Sequence, residues 1–106
     1  MRVLFDQGTP APLRRFLTQH EDSTAYERGW AKITNGNLLD AAEAEGFAAL
    51  VTTDTNLKYQ QNLASRRIAI VVLSTTNWPR IQLAIDRVIQ AVDVAIAGNY
   101  AEVDIP

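Results

Sequence analysis

The fold class is indicated by one continuous apolar run, Ala48-Ala49-Leu50-Val51-Thr52-Thr53, which ends at Asp54. Apolar and β-branched residues follow one another here. A strand with one face in water would instead alternate apolar and polar residues. The run therefore predicts a strand buried on both faces, as in a parallel sheet covered by helices. Ile68 to Leu73 is a second unbroken run of the same kind.

The segments around these two runs alternate between strand and helix. Arg2 to Phe5 is a short apolar strand closed by Asp6, the polar stretch Glu21 to Ala25 is weakly strand-like, and Tyr100 to Ile105 suits an edge strand. Helices are predicted from Pro12 to His20, from the Asn35-Gly36-Asn37 turn to Gly46, from Leu57 to Ser65, and from Pro79 to Gly98. The last helix has an apolar stripe of Ile81, Ala84, Ile85, Val88, Ile89, Val92 and Ile96. This alternation predicts a single α/β domain over residues 1–106 with a mostly parallel sheet.

Composition excludes several classes of protein. A hydrophobic share of 47% with a net charge of −2 does not suit a disordered chain. The absence of cysteine excludes a disulfide, a thiolate metal site and a cysteine nucleophile. The apolar runs are far shorter than the roughly 20 residues that span a bilayer, and Met1 to Phe5 is too short for a signal peptide. We expect a cytoplasmic protein with no membrane partner.

Basic residues are concentrated in the middle of the chain. Residues 55–90 carry five basic side chains and one acidic one, a local charge of +4, whereas the rest of the chain is acidic. The five are Lys58, Arg66, Arg67, Arg80 and Arg87. Such a segment is able to follow a phosphate backbone, although solvated helix faces are the more common explanation.

Asp6 and Asp54 are the candidate chemical groups, because each follows the last residues of a predicted strand. Ligands of open parallel sheets bind beyond the carboxyl ends of the strands, where both carboxylates would lie. Carboxylate oxygens suit Mg²⁺ or Mn²⁺, and the predicted chemistry is metal-dependent phosphoryl transfer or phosphodiester cleavage. The structural alternative is that each Asp caps the following turn or helix.

Three residues after Asp54 extend this candidate site. Asn56 supplies either a neutral oxygen ligand or a helix cap, and Lys58 and Tyr59 supply a cation and a ring for a phosphate or a base. His20, the single histidine, lies at the carboxyl end of a predicted helix, where a structural role is favoured.

Several motifs together resemble the DUF5615 family of PIN-like proteins, over nearly the whole chain. They are Leu4-Phe5-Asp6-Gln7, Glu27-Arg28-Gly29-Trp30, Asn35-Gly36-Asn37-Leu38-Leu39, Ala41-Ala42, Glu45-Gly46-Phe47 and Leu50-Val51-Thr52-Thr53-Asp54-Thr55-Asn56. The most specific is the Thr-x-Asp-x-Asn at the end of a strand, after a first strand that ends in Asp.

The resemblance implies a three-layer α/β/α domain and a Mg²⁺- or Mn²⁺-dependent ribonuclease, often the toxin of a bacterial toxin–antitoxin pair and often a dimer. Asp6 and Asp54 would then be catalytic and metal-binding, with Asn56 beside Asp54. Relatives commonly have an acid where this chain has Asn35 and Asn37, which would serve as neutral metal ligands. Arg28, Lys58 and Arg66 would position the RNA backbone, with Tyr59 beside them.

Two alternatives remain open. The first is a catalytically weak PIN-like module that binds RNA or a protein partner, favoured by the amides at Asn35 and Asn37. The second is a receiver-like phosphoacceptor domain, in which Asp54 would act with Ser74 or Thr75. Gln7 beside Asp6 and the lack of a lysine before the final helix disfavour it.

Overall fold

Five short strands form one parallel sheet at the centre of the protein. They are β1 (Arg2–Phe5), β2 (Glu21–Thr24), β3 (Ala49–Thr52), β4 (Ala69–Leu73) and β5 (Tyr100–Val103). Their order is β2-β1-β3-β4-β5, and every neighbouring pair is parallel. This computed structural model describes residues 1–60 and 62–106. The predicted α/β fold is confirmed, and the strand predicted weakly over Glu21 to Ala25 is present at one edge of the sheet.

Four α-helices and two short 3₁₀ helices connect the strands. The α-helices are α1 (Asn35–Ala44), α2 (Leu57–Gln60), α3 (Trp78–Leu83) and α4 (Ile85–Asp93), and the 3₁₀ helices are Ala11–Phe16 and Leu63–Ser65. The Thr34 side chain caps α1, and Gly46, at φ 79°, follows its carboxyl end as predicted.

The two faces of the sheet bury separate hydrophobic clusters, because side chains alternate along each strand. The first cluster places Leu13 and Leu17, with α3 and α4, against one face; the second places α1, α2 and Leu63 against the other. In β1, for example, Val3 and Phe5 belong to the first cluster and Leu4 to the second. The sheet is therefore the middle of three layers.

The helix predicted from Pro12 to His20 is wrong in type and length. The structure has a 3₁₀ helix that ends at Phe16, because Leu17 leaves helical geometry at φ −110° and ψ 45°. His20 lies beyond it, with Nε2 2.7 Å from Asp93 Oδ1, and so joins this segment to the end of α4. Its role there is structural, as expected.

The two later helix predictions are also too long. The segment Leu57 to Ser65 divides into α2 and a 3₁₀ turn, since Asn62 is extended (φ −81°, ψ 91°); Gln61 lies outside the described residues. The segment from Pro79 to Gly98 breaks at Ala84 and ends at Asp93.

Ile81 of α3 and both Val88 and Val92 of α4 are nevertheless buried in the same cluster. Ile96, predicted in the stripe, lies beyond α4 and is 62% exposed. In the part of the chain that the structure describes, no helix has the length and apolar character needed to cross a bilayer.

Candidate functional site

The order of the strands places a crevice at the carboxyl ends of β1 and β3. The chain passes from β1 to β2 on one side and returns to β3 on the other, so the connections diverge at this point. Ligands of open α/β sheets bind at such a switch point. Asp6 directly follows β1, and Asp54 lies two residues beyond β3. The structure therefore brings both predicted carboxylates to the expected place.

The Asp6 carboxylate is buried, with 8% of the residue exposed, and is held by two hydroxyl groups. The Thr9 hydroxyl donates to Oδ1 at 2.7 Å, and the Thr52 hydroxyl donates to Oδ2. The backbone N–H of Asp6 also continues the pairing of β1 with β3, donating to Val51 O at 3.2 Å. Asp6 is thus fixed on both its backbone and its side chain.

The Asp54 carboxylate is half-buried and is oriented by two donors. The Asn35 side-chain amide donates to Oδ2 at 2.7 Å, and the backbone N–H of Asn56 donates to Oδ1 at 2.9 Å. The Asp54 backbone N–H in turn donates to the Thr52 hydroxyl at 3.1 Å. The Thr52 oxygen therefore contacts both Asp6 and Asp54, and it fixes the two strand ends relative to each other.

The turn after β1 packs tightly against the end of β3. Thr9 Oγ1 lies 2.9 Å from the Val51 carbonyl as well as 2.7 Å from Asp6, so one hydroxyl hydrogen faces two acceptors. A Cβ on Gly8 would lie 2.7 Å from Thr53 Oγ1. Any larger residue at position 8 would have to move the Thr53 side chain, which explains why this position is a glycine.

The donor set fits a hard divalent cation. Mg²⁺ keeps several waters in proteins and is bound by one or two carboxylates together with phosphate oxygens. Asp6 and Asp54 supply two carboxylates, each with lone pairs beyond those used by its present donors. Within residues 1–60 and 62–106, no three His, Cys, Asp or Glu side chains are grouped to hold a metal ion. The charged ligands here would therefore be these two.

The three asparagines proposed as ligands differ in position. Asn35 presents its amide nitrogen to Asp54 and so holds that carboxylate in place. Asn56 is exposed, and its backbone, not its side chain, contacts Asp54. Asn37 is exposed in the first turn of α1, where its backbone N–H meets the capping Thr34 hydroxyl at 3.5 Å. Asp54 itself thus provides the capping contact that the sequence suggested for Asn56.

Arg28 and Arg66 each form an ion pair with an acid in or just beyond α1. Helix α1 runs from the carboxyl edge, where Asn35 meets Asp54, towards the amino edge, where β3 begins. Arg66 pairs with Asp40 Oδ1 at 2.5 Å in the second half of α1, and Arg28 pairs with Glu45, just beyond α1, at 3.2 Å. The acidic partners of both guanidinium groups therefore lie further towards the amino edge than Asn35 does.

Lys58 and Tyr59 follow β3 on the side of the sheet covered by α2. Lys58 Nζ lies 2.6 Å from Glu102 Oε1 on β5, and the Tyr100 hydroxyl donates to the same oxygen at 3.0 Å. The hydrogen bond from Lys58 lowers the pKa of Glu102, and the same bond raises the pKa of Lys58. Tyr59 is 78% exposed. Lys58 is therefore already paired, whereas the ring of Tyr59 is open to solvent.

Two further cations of the basic segment form hydrogen bonds to backbone carbonyls. Arg80 donates to the backbone carbonyls of Ile105 and Pro106, and Arg87 donates to that of Asp104. These contacts join helices α3 and α4 to the segment that follows β5. Much of the local +4 charge is thus used to hold the fold together.

The threonines were missed by sequence reasoning. Thr52 is 1% exposed within an otherwise apolar strand, and a buried hydroxyl in such a run implies a hydrogen-bond partner. Thr9 lies in the turn that follows β1, where threonine hydroxyls often form local hydrogen bonds. Glu102 gave no local signal, because its partner Lys58 is 44 residues away.

No family model matches this chain, and neither a curated protein nor a solved structure matches it significantly.

Proposed function

We propose that this protein is a metal-dependent ribonuclease that hydrolyses phosphodiester bonds of RNA at the carboxyl ends of β1 and β3. The observation that supports the proposal is the fixed pair of carboxylates, Asp6 and Asp54, joined through the Thr52 hydroxyl at the switch point of the sheet. The PIN-like motifs of the sequence are consistent with the same chemistry.

Each residue has a distinct part in the proposed site. Asp6 and Asp54 would hold Mg²⁺ or Mn²⁺, and when bound such an ion polarises a phosphate and helps to ionise water. Thr9 and Thr52 keep the Asp6 carboxylate in one orientation, and Asn35 does the same for Asp54. A carboxylate with its position already fixed loses less conformational entropy when it binds a cation.

The substrate and setting remain those expected from the sequence. Single-stranded RNA in the cytoplasm is the proposed substrate, and an antitoxin and a second copy of the chain are the proposed protein partners. Tyr59 and Lys58 lie on the helix that follows Asp54, where a base could stack or a phosphate could bind.

Cleavage of a mixed single-stranded RNA pool tests the proposal. We expect cleavage with Mn²⁺ or Mg²⁺, none with EDTA, and a loss of at least about 100-fold in Asp6→Asn and Asp54→Asn, since each removes a charged ligand. Asp86→Asn is the matched control, because it removes an exposed carboxylate in the first turn of α4. It should cleave like the wild type.

The folding of each variant is checked by circular dichroism and urea denaturation. Asp54→Asn is the more informative substitution, because Asp54 is half-exposed and its loss disturbs the core less than that of buried Asp6. Cleavage that persists in a folded Asp54→Asn variant, or that survives EDTA, would exclude this site.

A binding module without efficient cleavage is the second candidate. It is favoured by the donors that already occupy both carboxylates and by the amide of Asn35 at a position where relatives commonly have an acid. Titration of the folded wild type with Mn²⁺ separates the two candidates. RNA binding without cleavage at saturating Mn²⁺ would support the module. Labelling of Asp54 by acetyl phosphate would instead support a phosphoacceptor.

A further inference from the structure

A cavity of about 250 Å³ opens at the carboxyl ends of β4 and β5. Its lining consists of Thr55, Val72, Ser74, Glu102, Val103 and Asp104. Thr55 directly follows Asp54, and Ser74 and Asp104 directly follow their strands, so the cavity adjoins the proposed site along the same edge of the sheet. None of the roles given above uses this cavity.

The polar groups of the cavity can accept hydrogen bonds from a ligand. The Asp104 carboxylate has no ion pair or hydrogen bond to any residue in 1–60 or 62–106; only its backbone carbonyl is used, by Arg87. Glu102 engages Lys58 and Tyr100 through Oε1 alone, and Oε2 has no such contact with the described residues. The Ser74 oxygen accepts the Ile105 N–H at 2.8 Å, and its own hydrogen stays available.

The two carboxylates of the cavity, Asp104 and Glu102, favour a neutral ligand with hydroxyl groups. Two carboxylates with no cation between them repel a phosphate, so the phosphodiester itself belongs at the two aspartates, where the proposed divalent cation would offset the repulsion, and not in the cavity. A neutral group with hydroxyl donors satisfies the carboxylates without that repulsion. The volume lies below the roughly 300 Å³ at which pockets for drug-sized ligands begin, so a single sugar is a suitable size.

We propose that this cavity binds the ribose of the nucleotide next to the cleaved phosphate, with the carboxylate of Asp104 or of Glu102 accepting the one hydrogen bond that its 2′-hydroxyl can donate. This inference rests on the proposed function, and it names the feature that distinguishes RNA from DNA at the site. The 2′-hydroxyl is the group through which a protein tells the two apart.

Binding in EDTA tests the inference without any cleavage. The probes are a short oligouridylate, the oligodeoxyuridylate of equal length and the 2′-O-methyl form. All three have the same base and the same total backbone charge, and they differ only at the 2′ position. We expect the wild type to bind the ribose form about 3- to 10-fold more tightly than the deoxy form, the value of one hydrogen bond. The methylated form, which lacks the donor, should bind no better than the deoxy form.

The variants Asp104→Ala and Glu102→Ala remove the accepting oxygens, and the ratio of ribose to deoxy affinity should fall towards one in the variant that lacks the acceptor of the 2′-hydroxyl. The ratio of the two affinities is the readout because removing a negative charge strengthens the binding of both probes equally. That electrostatic gain therefore cancels in the ratio. Asp86→Asn, which removes one charge outside the cavity, should leave the ratio unchanged. Amide chemical shifts of Thr55, Ser74 and Val103 should move with the ribose probe more than with the deoxy probe.

The outcomes separate this inference from the ribonuclease proposal. Equal affinity of the wild type for both probes overturns the inference, whatever the cleavage assay shows. A ribose preference that is unchanged in both cavity variants also overturns it. A preference that depends on Asp104 or Glu102, in a protein that cleaves no RNA, supports the ribose site and contradicts the nuclease.

Discussion

The Thr52 hydroxyl is the smallest group on which the geometry of the candidate site depends. It donates to Asp6 and accepts from the Asp54 backbone while being almost wholly buried. Thr52→Val keeps the shape and removes both bonds, which leaves a buried carboxylate oxygen and an N–H without this partner. We expect a loss of about 1 to 3 kcal/mol in the free energy of unfolding.

Urea denaturation measures this change, with Thr76→Val as the control at an exposed threonine. The control should change stability by less than about 0.5 kcal/mol. Equal effects of the two substitutions would mean that the Thr52 hydroxyl contributes nothing specific.

The partly buried carboxyl of Asp22 lowers the free energy of unfolding. Its Oδ1 is buried with no hydrogen-bond partner among the described residues, and burial raises the pKa of its carboxyl more than His20 and Arg14 lower it. The ionised form is therefore disfavoured in the folded state. This loss of folding stability is complete at a pH above the pKa of Asp22 in the folded protein. It is absent below the ordinary pKa of 3.8, where the carboxyl is protonated in both the folded and the unfolded protein.

We expect Asp22→Asn to stabilise the protein at pH 7 by less than about 1 kcal/mol, because partial exposure screens the effect. The gain should shrink as the pH falls and vanish below about pH 3.8. Urea denaturation of both proteins across this pH range gives the result, and a gain that grows on acidification would contradict the argument.

At the scale of elements, the end of α4 at Asp93 decides whether Ile96 of the predicted stripe is buried. Ile81 is fully buried, whereas Ile96, on the same predicted stripe, lies past the end of α4 and is 62% exposed. Ile81→Ala should therefore cost about 2 to 5 kcal/mol. Ile96→Ala should change stability by less than about 0.5 kcal/mol, as for other surface positions.

Thermal or urea unfolding of these two variants compares the same substitution in two environments. Comparable losses would mean that a single continuous helix buries both residues in solution, as the sequence pattern predicted.

The strands were predictable from local sequence, and the helix ends were not. Runs such as Ile68 to Leu73 carry their own signal, since unbroken apolar residues must be covered on both faces, and Asp6 and Asp54 follow from the ends of such runs. The break at Ala84 carries no comparable signal, because the apolar stripe of Ile81, Ala84, Ile85 and Val88 runs through it without interruption. The ion pairs Lys58–Glu102 and Arg66–Asp40 likewise depend on the order of the strands.

For the molecule as a whole, paired cations imply weak non-specific attraction to RNA. The net charge is −2, and Arg28, Lys58 and Arg66 each have an acidic partner. Few phosphates can then be neutralised, and the slope of log affinity against log salt for single strands should be no steeper than about −2.

Fluorescence anisotropy with a short single-stranded RNA over a range of KCl concentrations provides this slope. A slope steeper than about −3 would show that four or more phosphates are neutralised, and thus that the ion pairs open to receive RNA.

The position of Asp22 on β2 has a consequence for the behaviour of the chain at high concentration. β2 and β5 are the two edges of the sheet, and an exposed edge is a template on which further strands can assemble into aggregates. Glu21 and Asp22 on one edge and Glu102 on the other place charge where an added strand would pair. Inward-facing charge on an edge strand is a known protection against such growth. Asp22 thus lowers the stability of the fold but protects its edge from aggregation. The Asp22→Asn protein would be more stable and also more prone to form fibrils.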